Sequence, residues 1–164
     1  MGKYLKWAGI ILAAAFVGIQ FVPVERTNPP VDPEMTFQVK VRVPPEIDRI
    51  IRRSCYDCHS HETKWPWYAY IAPSSWLVTG DVTNGRSLLN FSNWSYNMFR
   101  TVGRLDQMAQ EVYDRKMPLP PYLMMHPGAK LSEAEKDALI DWVEVAREEI
   151  MNPPEEPNTT TKKK

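Results

Sequence analysis

The sequence predicts an all-α protein: an apolar N-terminal helix, a short extended arm, and a small domain of helices. Three observations carry this. Apolar residues recur at three- and four-residue spacing in three separate segments after residue 44. Only one segment, Phe37 to Val43, alternates with period two, so a strand there would have no partner strand. The prolines fall between the periodic segments and at their edges, as helix boundaries do.

The N-terminal element comes first. Lys3 and Lys6 precede an apolar run from Trp7 to Val22, broken only by Gln20. Lysines on that side keep the N-terminus cytoplasmic and send the rest of the chain outward. The run is slightly short of the ~20 residues of a full span, but Tyr4, Leu5 and Val24 extend it. A cleaved signal peptide is the alternative. The small residues Ala13-Ala14-Ala15 lie in the middle of the run, and cutting there would leave Phe16 to Val24 as an exposed apolar tail. An uncleaved signal anchor over residues 1–24 is therefore preferred. It puts the protein in the inner membrane as a single-pass chain, with its domain on the periplasmic side.

Residues 25–43 are expected to be linker and arm. Val22 to Pro33 is proline-rich and polar. Phe37, Val39, Val41 and Val43 alternate with Gln38, Lys40 and Arg42, the pattern of a half-buried strand ended by Pro44-Pro45. The folded domain then spans residues 44–151. Pro45 opens a helix whose buried face is Ile47, Ile50, Ile51 and Ser54. Arg52 and Arg53 in its last turn suit the helix dipole. Aromatic loops follow, with Trp65, Trp67, Tyr68 and Tyr70 among prolines. Ser74 or Ser75 caps the next helix, Trp76 to Thr83, and Asn84-Gly85 reads as a turn. A helix from near Ser95 carries the stripe Met98, Val102, Leu105, Ala109 and Val112. It stops at Met117-Pro118-Leu119-Pro120-Pro121, read as a stiff extended segment. The last helix has a capping box, Ser132 and Glu135, and the stripe Leu139, Trp142, Val143, Ala146 and Ile150. Residues 152–164 have no apolar content and read as a disordered tail. Formal net charge is zero, so nothing points to nucleic acid.

Both cysteines of the chain lie in one pentad, Cys55-Tyr56-Asp57-Cys58-His59. This is the attachment signature of a c-type haem. Two thiols three positions apart on one turn can each add to a vinyl group of one porphyrin, and the following imidazole becomes the proximal ligand of its iron. Three other readings compete. Zinc would need Cys55, Cys58, His59 and His61, but neighbouring Cys58 and His59 rarely both reach one tetrahedral ion. A dithiol redox motif needs a strand–turn–helix setting that is absent here. A disulfide would close a very small loop and restrict the unfolded chain little. Export and the lack of spare cysteines both agree with haem.

At this point the chain resembles a cytochrome c, and more closely the bacterial haem-binding-domain family of small monohaem c-type cytochromes. The matching residues are Cys55-Tyr56-Asp57-Cys58-His59-Ser60-His61, Gly85-Arg86, Asn90-Phe91-Ser92-Asn93-Trp94, Met117-Pro118-Leu119-Pro120-Pro121-Tyr122, and His126-Pro127 leading into Leu131-Ser132-Glu133-Ala134-Glu135. The resemblance covers roughly Pro44 to Arg147. It implies cytochrome c-like helices around one covalent haem c per chain, and an exported location.

The residue opposite His59 decides what such a haem can do. With two protein ligands it shuttles electrons; with an open face it binds small molecules or reacts with peroxide. Met98 and Met108 lie on or beside an apolar helical stripe, where methionine is more often core. His61 is two residues from His59 and cannot easily cross the ring. Met117 follows a helix, precedes a rigid proline run and matches the cytochrome c pattern, so it is the first candidate, ahead of Met124, Met125 and His126. The expected function is single-electron transfer through a His59/Met117 haem to transient partners in the periplasm or membrane. The alternative is a haem-based sensor or a peroxidase-like enzyme with an open or displaceable ligand.

Overall fold

The computed structural model describes residues 2–95 and 97–153; the tail expected at 152–164 falls almost entirely outside them. Among the described residues the chain is helical, with no strand. The helices are α1 (Gly2–Ile19), α2 (Phe37–Lys40), α3 (Pro45–Ser54), α4 (Tyr56–His59), α5 (Ser74–Leu88), α6 (Met98–Tyr113), α7 (Pro120–Met125) and α8 (Glu133–Met151), with short 3-10 turns between them. They form two compact units, Met1–Phe37 with Cys55–Trp94, and Gln38–Ser54 with Ser95–Lys164.

In the first unit, α1 buries no residue and is long and apolar enough to cross a membrane. An N-terminal helix of this kind serves as an anchor or as a signal segment. It ends at Ile19, so Phe21 and Val22 of the apolar run lie beyond it. The core of the unit is aromatic. The Phe37 ring lies 4.5 Å from Trp94 and 5.2 Å from Phe91, and Tyr56 stacks on Phe91 at 5.3 Å. Phe37, Phe91 and Trp94 are fully buried. Helix α5 packs on α4 and on the 3-10 turn Trp67–Tyr70.

In the second unit, α6 packs on α8, and α3 on α8 and on the turn Pro127–Ala129. The expected faces of α3 and α8 are the buried ones: Ile47, Ile50, Ile51 and Ser54, and Leu139, Trp142, Val143 and Ala146. On α6 the buried set is Thr101, Leu105, Met108 and Val112; of the expected stripe only Leu105 and Val112 belong to it, while Met98, Val102 and Ala109 are half-buried. Both halves of the capping box form at Ser132 and Glu135. An Arg53 hydrogen bond, together with the Ser132 N–H, holds the Glu135 carboxyl down at about 2.

Four local expectations are corrected. The extended arm is a helical turn, α2: Phe37 and Val41 are buried while Val39 is exposed. Residues i and i+4 share a face in a helix and in a strand alike, so only Val39 distinguishes them, and four residues are too few to decide from pattern. Asn84-Gly85 is not a turn, because α5 runs through it to Leu88. No serine side chain caps α5: its N-cap is Pro73, and Ser75 is buried. Pro120-Pro121 does not continue an extended segment but opens α7, where a missing N–H costs nothing.

Replacing Ser132 by Ala removes one acceptor from the first turn of α8, and should cost about 1 kcal/mol of unfolding free energy in a urea titration.

Candidate haem site

Cys55, Cys58 and His59 are brought together by one helical turn. Helix α3 ends at Ser54, Cys55 is the N-cap of α4, and the Cys58 and His59 N–H groups both donate to the Cys55 carbonyl, at 3.2 and 3.0 Å. Neither cysteine forms a disulfide, and both are half-buried. Burial first, then the nearby Asp81 and Asp57, push the Cys58 thiol up to about 11, with Arg86 opposing. A redox-active or zinc-binding cysteine is a thiolate near neutral pH. Cys58 is held as a thiol, which disfavours the dithiol redox reading.

The His59 ring is oriented by α5. Its Nδ1 lies 3.0 Å from the Gly85 carbonyl and 3.0 Å from the Leu89 carbonyl. Neither oxygen can donate, so Nδ1 carries the proton and Nε2 keeps its lone pair. The Gly85 carbonyl also accepts the Leu89 N–H at 2.9 Å, and Leu89 is the C-cap of α5, so the imidazole joins the hydrogen bonding at the C-terminal end of that helix. Burial lowers the His59 pKa and the two carbonyl bonds work against that, so the ring is neutral at neutral pH. A neutral imidazole with one nitrogen fixed and the other bare is a metal ligand in waiting.

Gly85 brings α5 this close. A Cβ there would stand 2.6 Å from the Cys58 carbonyl oxygen, and that oxygen is backbone. Next to it, Arg86 donates to the Ser60 carbonyl (2.8 Å), the Thr27 carbonyl (2.9 Å), Asn28 Oδ1 (2.7 Å) and Thr63 Oγ1 (2.9 Å). Asn28 Nδ2 donates in turn to the Thr63 carbonyl. The proline-rich segment read as linker is thus strapped onto the motif. Having no internal hydrogen bonds, an extended Pro-rich chain offers its carbonyls to outside donors.

The stretch 90–94 clamps the motif from another side. The Phe91 N–H donates to the His59 carbonyl at 2.8 Å, and the His61 N–H to Ser92 Oγ at 2.9 Å. Asn90 Oδ1 accepts from the Ser92 N–H, which turns the Asn90 amide NH₂ toward His61 Nε2 at 2.9 Å. His61 Nδ1 then donates to the Pro30 carbonyl at 3.3 Å. With both ring nitrogens engaged, His61 is a structural histidine and not a fourth metal ligand. Among the described residues no group of three His, Cys, Asp or Glu side chains could hold an ion. The roles of Arg86, Asn90 and Ser92 escape sequence reasoning, since nothing in their spacing says which carbonyl or ring each one meets.

Met117 belongs to the second unit. Helix α6 ends in a Schellman turn: Lys116 N–H donates to the Glu111 carbonyl, Arg115 N–H to Val112, and Arg115 has φ 58°. Met117 N–H also donates to Glu111, at 3.1 Å, and the residue is half-buried. Met124 and Met125 are exposed, and Met108 is core. His126 stacks on Tyr122 at 4.2 Å.

The donor set fits a haem. Two thiols and a bare imidazole nitrogen share one turn. In the loop that follows, the Trp65 indole N–H is buried with no acceptor among the described residues, so a donor is left for a bound group. A family model described as a haem-binding domain matches residues 14–145, starting inside α1 and taking in the strap as well as the motif. Comparisons with curated proteins and with solved structures give no match.

Gly85→Ala forces α5 off α4 and should destabilise the protein by about 1–3 kcal/mol, as overpacking does. Denaturant unfolding, with the yield of haem-loaded protein as a second readout, checks this; unchanged values for both would contradict the close approach.

Proposed function

The chain belongs to the haem-binding domain family, and on that premise we propose that it is a membrane-anchored monohaem c-type cytochrome that passes single electrons in the periplasm. The observation that carries the reading is the His59 imidazole, neutral and pinned through Nδ1, on the turn that also holds both thiols. Cys55 and Cys58 would hold the haem covalently as thioethers, and His59 Nε2 and Met117 would bind its iron. When bound, the haem supplies a one-electron ferric/ferrous couple, with a thioether ligand raising its potential.

The protein's own groups do the rest. The Gly85 and Leu89 carbonyls keep the proton on Nδ1 and make Nε2 a better donor. Burial of His59 keeps that lone pair free of a competing proton. The Schellman turn and the Met117–Glu111 bond fix the backbone of the thioether residue before any ligand is made. Lys3 and Lys6 ahead of α1 favour an anchor with the folded part outside. Transient redox partners in the periplasm or membrane would donate and accept the electrons.

Two observations on protein produced with haem-attachment machinery test this. The pigment should survive acid–acetone extraction, and intact mass should exceed that of the apoprotein by one haem; release of free haem ends the covalent reading. The ferric protein should show the weak thioether-to-iron charge-transfer band. Met117→Ala should abolish the band, lower the potential and speed carbon monoxide binding, while Met124→Ala, Met125→Ala and His126→Ala leave the band in place. A wild type that lacks the band and binds carbon monoxide rapidly would favour a sensor or enzyme instead.

A further inference from the structure

We propose that the 3-10 turn Trp67–Tyr70, with Ile71, lies in the phospholipid interface of the bilayer and seats the haem-motif unit on the membrane. This rests on the anchor reading of α1. Three side chains make the surface: Trp67 is 69 % exposed, Tyr70 58 % and Ile71 40 %. A 3-10 helix has three residues per turn, so Trp67 and Tyr70 fall on the same side. Ala69 between them is fully buried. The Tyr68 ring is half-buried and meets the Trp67 ring edge-on at 5.8 Å.

What covers this face follows from its neighbour. Gln20 is the first polar residue of the apolar run and stands one residue past the end of α1. Its amide makes a reciprocal pair with the backbone of one residue: Nε2 donates to the Ala72 carbonyl at 3.2 Å, and the Ala72 N–H donates to Oε1 at 2.9 Å. A few residues on, Arg26 donates to the Ala69 carbonyl at 3.3 Å, and its guanidinium lies 4.6 Å over the Tyr70 ring. The point where the anchor leaves the bilayer is thus fastened directly to the 69–72 backbone, beside Tyr70 and Ile71. Tryptophan and tyrosine concentrate at the level of the headgroups, where an apolar ring and a polar tip are both satisfied. Arg26 adds a cation at that level, the sign that lipid phosphates attract. The surface and the spanning helix are continuous, so the lipid interface is the occupant already at hand.

The experiment uses the full-length haem-loaded protein in phosphatidylcholine liposomes that carry a diazirine high on the acyl chain. After irradiation, lipid adducts are mapped by peptide mass spectrometry. Adducts are expected in α1 and in the 67–71 stretch, and not at Tyr113, which is exposed on α6 (71 %). The triple variant Trp67→Ser, Tyr70→Ser, Ile71→Ser should lose the 67–71 adducts and keep those in α1. Adducts in α1 with none at 67–71 would overturn the proposal while leaving the anchor intact. Cross-links from 67–71 to a second copy of the chain, in place of lipid, would also overturn it. No adduct in α1, with protein washed freely from the liposomes, would instead remove the anchor reading on which the proposal stands.

Discussion

The site depends on one interaction: the His59 Nδ1–H held between the Gly85 and Leu89 carbonyls. Both lie at the C-terminal end of α5: Gly85 in its last turn, where its carbonyl also accepts the Leu89 N–H, and Leu89 as its C-cap. They are also the negative end of the helix, the place where a donor is best received. One contact therefore does two things. It adds a donor at the C-terminal end of α5, and it fixes both the tautomer and the orientation of the His59 imidazole. The contact exists only because Gly85 lets α5 touch the Cys58 backbone, so the glycine and the histidine are halves of one device.

Around that device the chain adds restraints that share no chemistry with iron. Arg86 spends its guanidinium on the strap and on the loop after the motif. Phe91 is both core aromatic and hydrogen-bond donor to His59. A histidine on a four-residue helix would be poorly held by that helix alone, since so short an element gains little from its own hydrogen bonds. Tertiary bonds from residues 27–30, 60–63 and 85–92 supply the rigidity. The family match beginning at residue 14 agrees with a strap that belongs with the motif.

Much of this was legible in the sequence, for reasons that can be named. The buried faces of α3 and α8 could be read because a 3.6-residue period over ten or more residues has no competing interpretation. The capping box could be read because its two residues act on each other across one turn. The attachment pentad is local, and so was visible at once. The arm at Phe37–Val43 reads as a strand because Phe37 and Val41 share a face in either period, and only the exposure of Val39 in the folded chain chooses between them. Asn84-Gly85 was misread because the glycine is there for a close approach and not for a turn, a distinction that needs the partner backbone in view. Arg86 and Asn90 are part of the family pattern, but their hydrogen-bond partners lie 23 to 59 residues away in sequence, and no local rule reaches that far.

The most direct measurement is the ¹⁵N NMR spectrum of the His59 imidazole in the ferrous haem-loaded protein, which is diamagnetic when both axial positions are filled by strong ligands. The expected result is an iron-bound Nε2 and an Nδ1 that keeps its proton in slow exchange with water. Weakening the α5 contact through Gly85→Ala should speed that exchange. An iron-bound Nδ1, or a His59 ring with neither nitrogen on iron, would contradict the orientation of the ligand by α5 and the haem site built upon it.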